Sequence, residues 1–172
     1  MVEIKDSGRQ LFENDLAELE ALVGCKLPAD YHAFLLRTNG GRPAPDLIDI
    51  EGAPFEGTDV HSLHGIDTSL EADDIRWNLE VLEGCLENKL LPIANDSFGQ
   101  LFMLVLNDEH YGHVNYFDSA EVPPRPYLVA NTFDEFLSKI RAPTPEELGE
   151  DETDENADSE VRQDDDPDRN GQ

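Results

Sequence analysis

Apolar side chains recur at helical spacing near the start of the chain. In QLFENDLAELEALVG, Phe12, Leu16, Leu19 and Val23 fall at i, i+4, i+7 and i+11, one stripe of a 3.6-residue period, and Gly24 ends it. LPADYHAFLLRTNGG repeats the pattern through Tyr31, Phe34, Leu35 and Thr38. Pro28 suits a first helical position, Asp30 complements the N-terminal dipole and Arg37 the C-terminal one. Asn39, Gly40 and Gly41 then supply the left-handed conformations that stop a helix, so this segment predicts a helix with a built terminator.

The pattern changes after Arg42. A stretch rich in Pro, Gly and Asp predicts little β-structure before the second half, apart from the short apolar LIDI and a candidate strand around VHSLHGI. SLEADDIRWNLEVLEGCL predicts a third helix, capped by Ser69, with Ile75, Leu79 and Leu82 inward and an end near Gly84. LLPIA, QLFMLVL and HVNYF read as strands joined by the turn sequences NDSFG and NDEHYG, and PYLVA as a further one. NTFDEFLSKI closes the pattern as a helix capped by Asn131 or Thr132, with Phe133, Phe136, Leu137 and Ile140 on its apolar face. Helices before and after a run of strands predict an α+β fold, an antiparallel sheet flanked by helices in a single domain. The core is expected from Leu27, Phe34, Leu35, Leu101, Met103, Val105, Phe133 and Phe136. Large residues at both parities of QLFMLVL call for cover on both faces of that strand.

Composition then separates two regions. From residue 142 on, Pro, Asp and Glu dominate, and Leu148 and Val161 are the only large aliphatics. Such a segment cannot offset its ordering entropy, so residues 142–172 are expected to be a disordered acidic tail behind a domain of residues 1–141. The net charge is −27, from 39 acids and 12 basic residues. Residues 146–172 hold 13 acids and 2 arginines, net −11, which leaves 26 acids and 10 basic residues, net −16, for the rest. The acidity therefore belongs to the domain as well as to the tail. A surface of this sign repels phosphate backbones and anionic lipid and attracts cationic partners, so neither nucleic acid nor membrane is an expected partner. MVEIKDSGRQLF shows no export signal, LFMLVL is too short to span a bilayer, and two cysteines without CxxC spacing fit a reduced cytoplasmic setting.

Candidate chemistry is sparse. Cys25 and Cys85 have no nearby histidine to activate them and read as small packed side chains at helix positions. His110 and His113, with Asp108, Glu109 and Asp118, are the best metal-ligand group, yet His-x-x-His in a turn reads more simply as a polar loop. His61 and His64 fare no better. Glu71, Asp73 and Asp74 fit the start of a helix better than acid/base work. Asp96 and Gly99 read as turn formers, and Phe98, Phe102, Tyr116 and Phe117 as core. No catalytic residue, metal or cofactor is expected.

Four ordered blocks resemble the SMI1/KNR4 family of the SUKH superfamily. The first is LAELEALVGCKLPADYHAFLLRTNGGRP, with Glu20, Leu27, Pro28, Tyr31, Phe34, Leu35, Asn39, Gly40 and Gly41 at the family's characteristic positions. LPIANDSFGQLFMLVL supplies Pro92, Ile93, Asp96, Phe98 and Gly99, GHVNYFD supplies Gly112, Val114 and Asp118, and VANTFDEFL supplies Ala130, Phe133 and Phe136. The resemblance runs over roughly residues 10 to 141. It implies a non-enzymatic role: many bacterial members are immunity proteins that neutralise toxins delivered between competing cells, and fungal members act in regulatory scaffolds. Immunity to a basic nuclease toxin agrees with the acidity, because a nuclease groove is cationic. A regulatory interaction module is the alternative. Among the acids, Asp46, Asp49, Glu51, Glu56 and Asp59 are the expected partner contacts, since they lie in the irregular segment behind the double glycine.

Overall fold

The computed structural model describes residues 2–119, 121, 123 and 125–149. Strand β1 (Glu3–Lys5) pairs antiparallel with β2 (Arg42–Ala44), and helices α1 (Glu13–Val23) and α2 (Ala29–Thr38) lie between them in the chain. β3 (Leu47–Ile48) pairs with β4 (Thr58–Asp59). β5 (Ser62–Leu63), β6 (Leu90–Asn95), β7 (Leu101–Val105), β8 (Val114–Asp118) and β9 (Arg125–Ala130) form one five-stranded antiparallel sheet in sequence order. A short 3-10 turn (Glu71–Asp73) and α3 (Ile75–Val81) connect β5 to β6, and α4 (Phe133–Lys139) follows β9. The unit that ends at Ala142 is therefore an α+β domain. Of the second unit, which begins at Pro143, residues 143–149 are described. There the Thr144 amide donates to Glu147 Oε2 at 2.6 Å and the Glu147 amide to Thr144 Oγ1 at 3.4 Å, a reciprocal cap on one turn. The expected disorder of the tail concerns residues that, from 150 on, lie outside those described.

Register decides which side of the sheet meets the helices. Phe102 opposes Tyr116, and Leu104 opposes Val114 and Leu91, so these side chains share a face. Phe136 of α4 stacks obliquely on Phe102, with centroids 5.3 Å apart, and Phe133 meets Tyr31 and Phe34 of α2 at 4.8 Å each. These aromatics are fully buried and form the centre of the core. Met103 and Val105, both buried, point to the other face, where the end of α3 and the turn after it border Met103. That cover stops short. Leu101 and Phe117 are only half-buried, and Leu128, opposite Asn115 on the same face, is exposed. Leu101 is thus a margin residue and not the core residue expected.

The helical stripes hold with two corrections. Phe12 is 68% exposed while Leu11 is buried, because Phe12 has extended backbone angles at the helix start and leaves the stripe. Asp15 caps that end by accepting from the Phe12 amide at 2.7 Å. The third helix begins at Ile75, five residues later than a Ser69 cap implies. Its cap is Asp74, whose carboxylate accepts from the amides of Arg76 (2.8 Å) and Trp77 (3.1 Å). Thr132 caps α4 through the Glu135 amide at 3.1 Å. In the segment expected to be poor in β-structure, β3 falls in LIDI and β5 in the candidate strand VHSLHGI, while β2 and β4 are additions; all four have two or three residues. Cys85 packs in the turn after α3 and Cys25 follows the end of α1, so neither occupies a helix.

Candidate functional site

The Asn39-Gly40-Gly41 terminator ties three parts of the chain together. Asn39 is buried in the left-handed region at φ 47°, and its carboxamide oxygen accepts from the Ile66 amide at 2.8 Å. Its amide nitrogen donates to the carbonyls of Arg9 (2.9 Å) and Ile66 (3.1 Å), and its backbone carbonyl accepts from Gly8 at 3.0 Å. Gly40 (φ 69°) and Gly41 (φ 119°) approach neighbouring backbone so closely that an added Cβ would lie 2.7 Å from the Leu63 carbonyl and 2.5 Å from the Lys5 carbonyl, respectively. The motif is spent on folding. Beside it opens a cleft of about 400 Å³ whose Arg9 is held by Asp15 (2.6 Å) and Asp67 (2.7 Å).

The residues before it serve the turn between α1 and α2. Glu20 is buried and accepts from the Leu27 amide at 3.0 Å and from Lys26 Nζ at 2.7 Å. Burial pushes its carboxyl up, but those hydrogen bonds and the attraction of Lys26 outweigh it, leaving the group below the usual carboxylate range. Leu27 is buried, Pro28 is the cap of α2, and Tyr31 and Phe34 enter the core. The Tyr31 hydroxyl has no hydrogen-bond partner, and burial raises its ionisation far above the ordinary value.

Asp96 organises a second knot. Its Oδ1 accepts from the amides of Phe98 (2.9 Å) and Gln100 (2.8 Å), and its Oδ2 from Thr58 Oγ1 (2.9 Å) and the Tyr116 hydroxyl (2.8 Å). One carboxylate thus fixes the β6–β7 turn and joins it to β4 and β8. Burial and the adjoining Asp96 carboxylate raise the ionisation of Tyr116 well above the usual phenol. Gly99 takes φ 82° at the open end of the turn. Phe98, expected in the core, stands 83% exposed at its tip. The reason is geometric: the Asp96-centred turn aims residue 98 away from the sheet. Asp118 ends β8 and lines a pocket of about 250 Å³ with Phe55, Phe98 and Tyr116.

The expected partner-contacting acids divide. Asp49, Glu51 and Glu56 line one cleft of about 560 Å³ together with Ile50, Val129 and Lys139. Asp49 is held there by a two-pronged pair with Arg141, at 2.7 and 3.0 Å. Lys139 is engaged by Glu135 (3.0 Å) and the Val129 carbonyl (2.7 Å). Asp46 is exposed and lines no cleft with the others. Asp59 binds Ser97 through its amide (3.1 Å) and hydroxyl (2.5 Å).

His61 lies near that last pair, with Nδ1 3.4 Å from Ser97 Oγ. The trio lacks the order that nucleophilic catalysis needs. The carboxylate takes the serine hydroxyl directly, and the far ring nitrogen faces Arg42 at 3.2 Å where an orienting acid belongs. His110 and His113 stack with centroids 5.1 Å apart, and among the described residues no three His, Cys, Asp or Glu side chains are grouped to hold a metal. His64 is buried, with Nδ1 donating to the Pro92 carbonyl at 3.1 Å and Nε2 unpartnered. Burial depresses its basicity. The Cys85 thiol is likewise pushed up by burial. No described helix is long and apolar enough to cross a membrane.

These features define a class: a small α+β domain whose signature residues secure turns and helix ends. The model of the SMI1 / KNR4 family (SUKH-1) matches residues 11–139, and the chain belongs to that family. Domains of this family are generally non-catalytic proteins of the immunity type. No curated protein matches the sequence.

Proposed function

We propose that this chain is an immunity protein that binds a cationic toxin domain, of the nucleic-acid-cleaving kind, and neutralises it by occlusion. The observation that carries the reading is the charge of residues 1–145, net −16, with the exposed carboxylates of Glu51 and Glu56 beside Asp49 on one cleft. A basic active-site groove is the complementary surface, and blocking it needs no chemistry from the inhibitor. The acidic tail from residue 142 on adds long-range attraction to the folded domain.

The test starts from a pull-down of the tagged chain from its own cells. The recovered partner is then expressed with and without the chain, and growth is scored. The expected partner is basic, arrests growth alone and is silenced by the chain. A partner that is harmless alone, with a regulatory complex around it, would assign the chain to the scaffold branch of the family instead.

A further inference from the structure

The uncovered part of the sheet and the exposed tip of the β6–β7 turn are neighbours. Gln100 lines two pockets at once, one on each side of it. The first, about 440 Å³, has apolar walls from Val81, Leu82, Leu101, Met103 and Phe117, with Glu83 among its lining groups. The second, about 250 Å³, is walled by Phe55, Tyr116 and Phe98 and holds the Asp118 carboxylate. Phe55 meets Tyr116 edge-on at 5.8 Å, so that wall is an ordered aromatic pair. Phe98 rises beside the second pocket on a turn that two hydrogen bonds to Asp96 immobilise. A large apolar side chain so exposed and so rigid is the form that an interface anchor takes.

Resting on the reading above that the partner is cationic, we infer that this ridge and its two pockets dock a basic amphipathic segment of the partner. An aliphatic side chain fills the pocket under Leu101 and Phe117. An arginine or lysine of the same segment lays its stem on Phe55 and Phe98 and brings its charge to Asp118. Charge decides the occupant. A second copy of the chain brings another −27, and the tail brings −11, so both meet a like-charged rim. Exposed Glu83 lines the apolar pocket from the turn after α3, with Glu80 and Glu87 exposed on either side of it in the chain, and these acids favour a segment of opposite sign.

The probe is a short amidated peptide alternating arginine and leucine, titrated into the isotope-labelled full chain while backbone amide shifts are followed. The control is a peptide of equal length and charge alternating arginine and glycine. Shifts are expected at residues 81–84, 98–101 and 117–119, with the control binding about tenfold more weakly. Phe98→Ser should weaken the arginine-leucine peptide about tenfold, equivalent to about 1.4 kcal/mol, and leave the thermal melt unchanged. Val81→Lys should weaken it as well. Three results overturn the inference: no binding of the arginine-leucine peptide, equal binding of the control, or undiminished binding by Phe98→Ser. Shifts confined to Asp49, Glu51 and Glu56 also overturn it while leaving the acidic cleft as the contact face. Sedimentation of the free chain as a dimer that Phe98→Ser dissolves would give the ridge to a second copy.

Discussion

Phe34 is fully buried at the centre of the core, stacked on Tyr31 and packed against Phe133, so truncating it leaves a cavity between two aromatic rings. Phe34→Ala should therefore cost about 3–5 kcal/mol in chemical unfolding. A loss below about 1 kcal/mol would contradict the packing described. Gly40 makes a different demand, on backbone angle and on space. Gly40→Val forces a β-branched residue to φ 69° against the Leu63 carbonyl, and it should lower stability more than Gly99→Val, which meets nothing within 4 Å. His64 adds a pH dependence. Its pKa is depressed by burial, so the unfolded chain binds a proton near pH 6.5 that the folded chain refuses. That contribution is fully present above pH 6.5 and is lost as pH falls below it. Urea midpoints of His64→Leu should vary less than wild type between pH 7.5 and 5.5. Parallel curves would remove the argument.

Elements whose limits depend on a periodic stripe were legible. α1, α2 and α4, the order of the four long strands, and the stops at Gly24 and at Asn39-Gly40-Gly41 follow from spacing and turn chemistry, whereas α3 ends at Val81, before the Gly84 stop expected. What escaped depends on tertiary partners. β1 and β2 are three residues each, EIK and RPA, too short to show alternation, and they exist because the Asn39 turn brings them side by side. Phe98 shares its local signal with a core phenylalanine, and only the carboxylate of Asp96 turns it outward. Asp74, not Ser69, starts α3 because a 3-10 turn occupies the preceding residues. Of the expected contact acids, the gathering of Asp49, Glu51 and Glu56 needed the β3–β4 hairpin, which spacing alone does not reveal. Two knots can be compared by measurement. Thr132→Ala removes one helix cap and should cost about 0.5–2 kcal/mol. Asp96→Ala orphans the Tyr116 hydroxyl and the Thr58 hydroxyl as well as two amides, at about 1–3 kcal/mol for each donor left buried. It should be the more damaging of the two by urea midpoint. The reverse order would mean that the turn, not its carboxylate, holds β4 and β8 together.

For the whole molecule, charge governs encounter more than fold. If the partner is cationic as proposed, its association should slow as salt rises from 0.01 to 0.5 M, because the screening length falls from about 30 Å at 0.01 M to about 8 Å at 0.15 M. Removing residues 146–172 takes away a net −11 and leaves −16, so the on-rate should drop while protection persists. Charge reversal at Glu51 and Glu56 should instead raise the off-rate. Stopped-flow binding with the recovered toxin distinguishes these effects. An on-rate indifferent to salt, or protection lost with the tail alone, would contradict the reading. Acid carries a separate structural cost. Glu135 and Asp15 are each held near pKa 2, Glu135 first by the Asn131 amide and Asp15 first by Arg9. Their contribution is present above the ordinary carboxylate range and fades as pH falls from about 4.5 towards 2.

The outer position of β9 has a consequence for storage and concentration. Near the isoelectric point, about pH 4.1, the mutual repulsion that keeps copies apart vanishes. A bare edge strand would then invite another chain to extend the sheet into fibrils. Pro126, inside β9, offers no amide proton to such a newcomer, and Arg125 places a persistent cation beside it. Precipitate formed at that pH should be amorphous and should redissolve on return to neutrality, without the dye-binding signature of cross-β order.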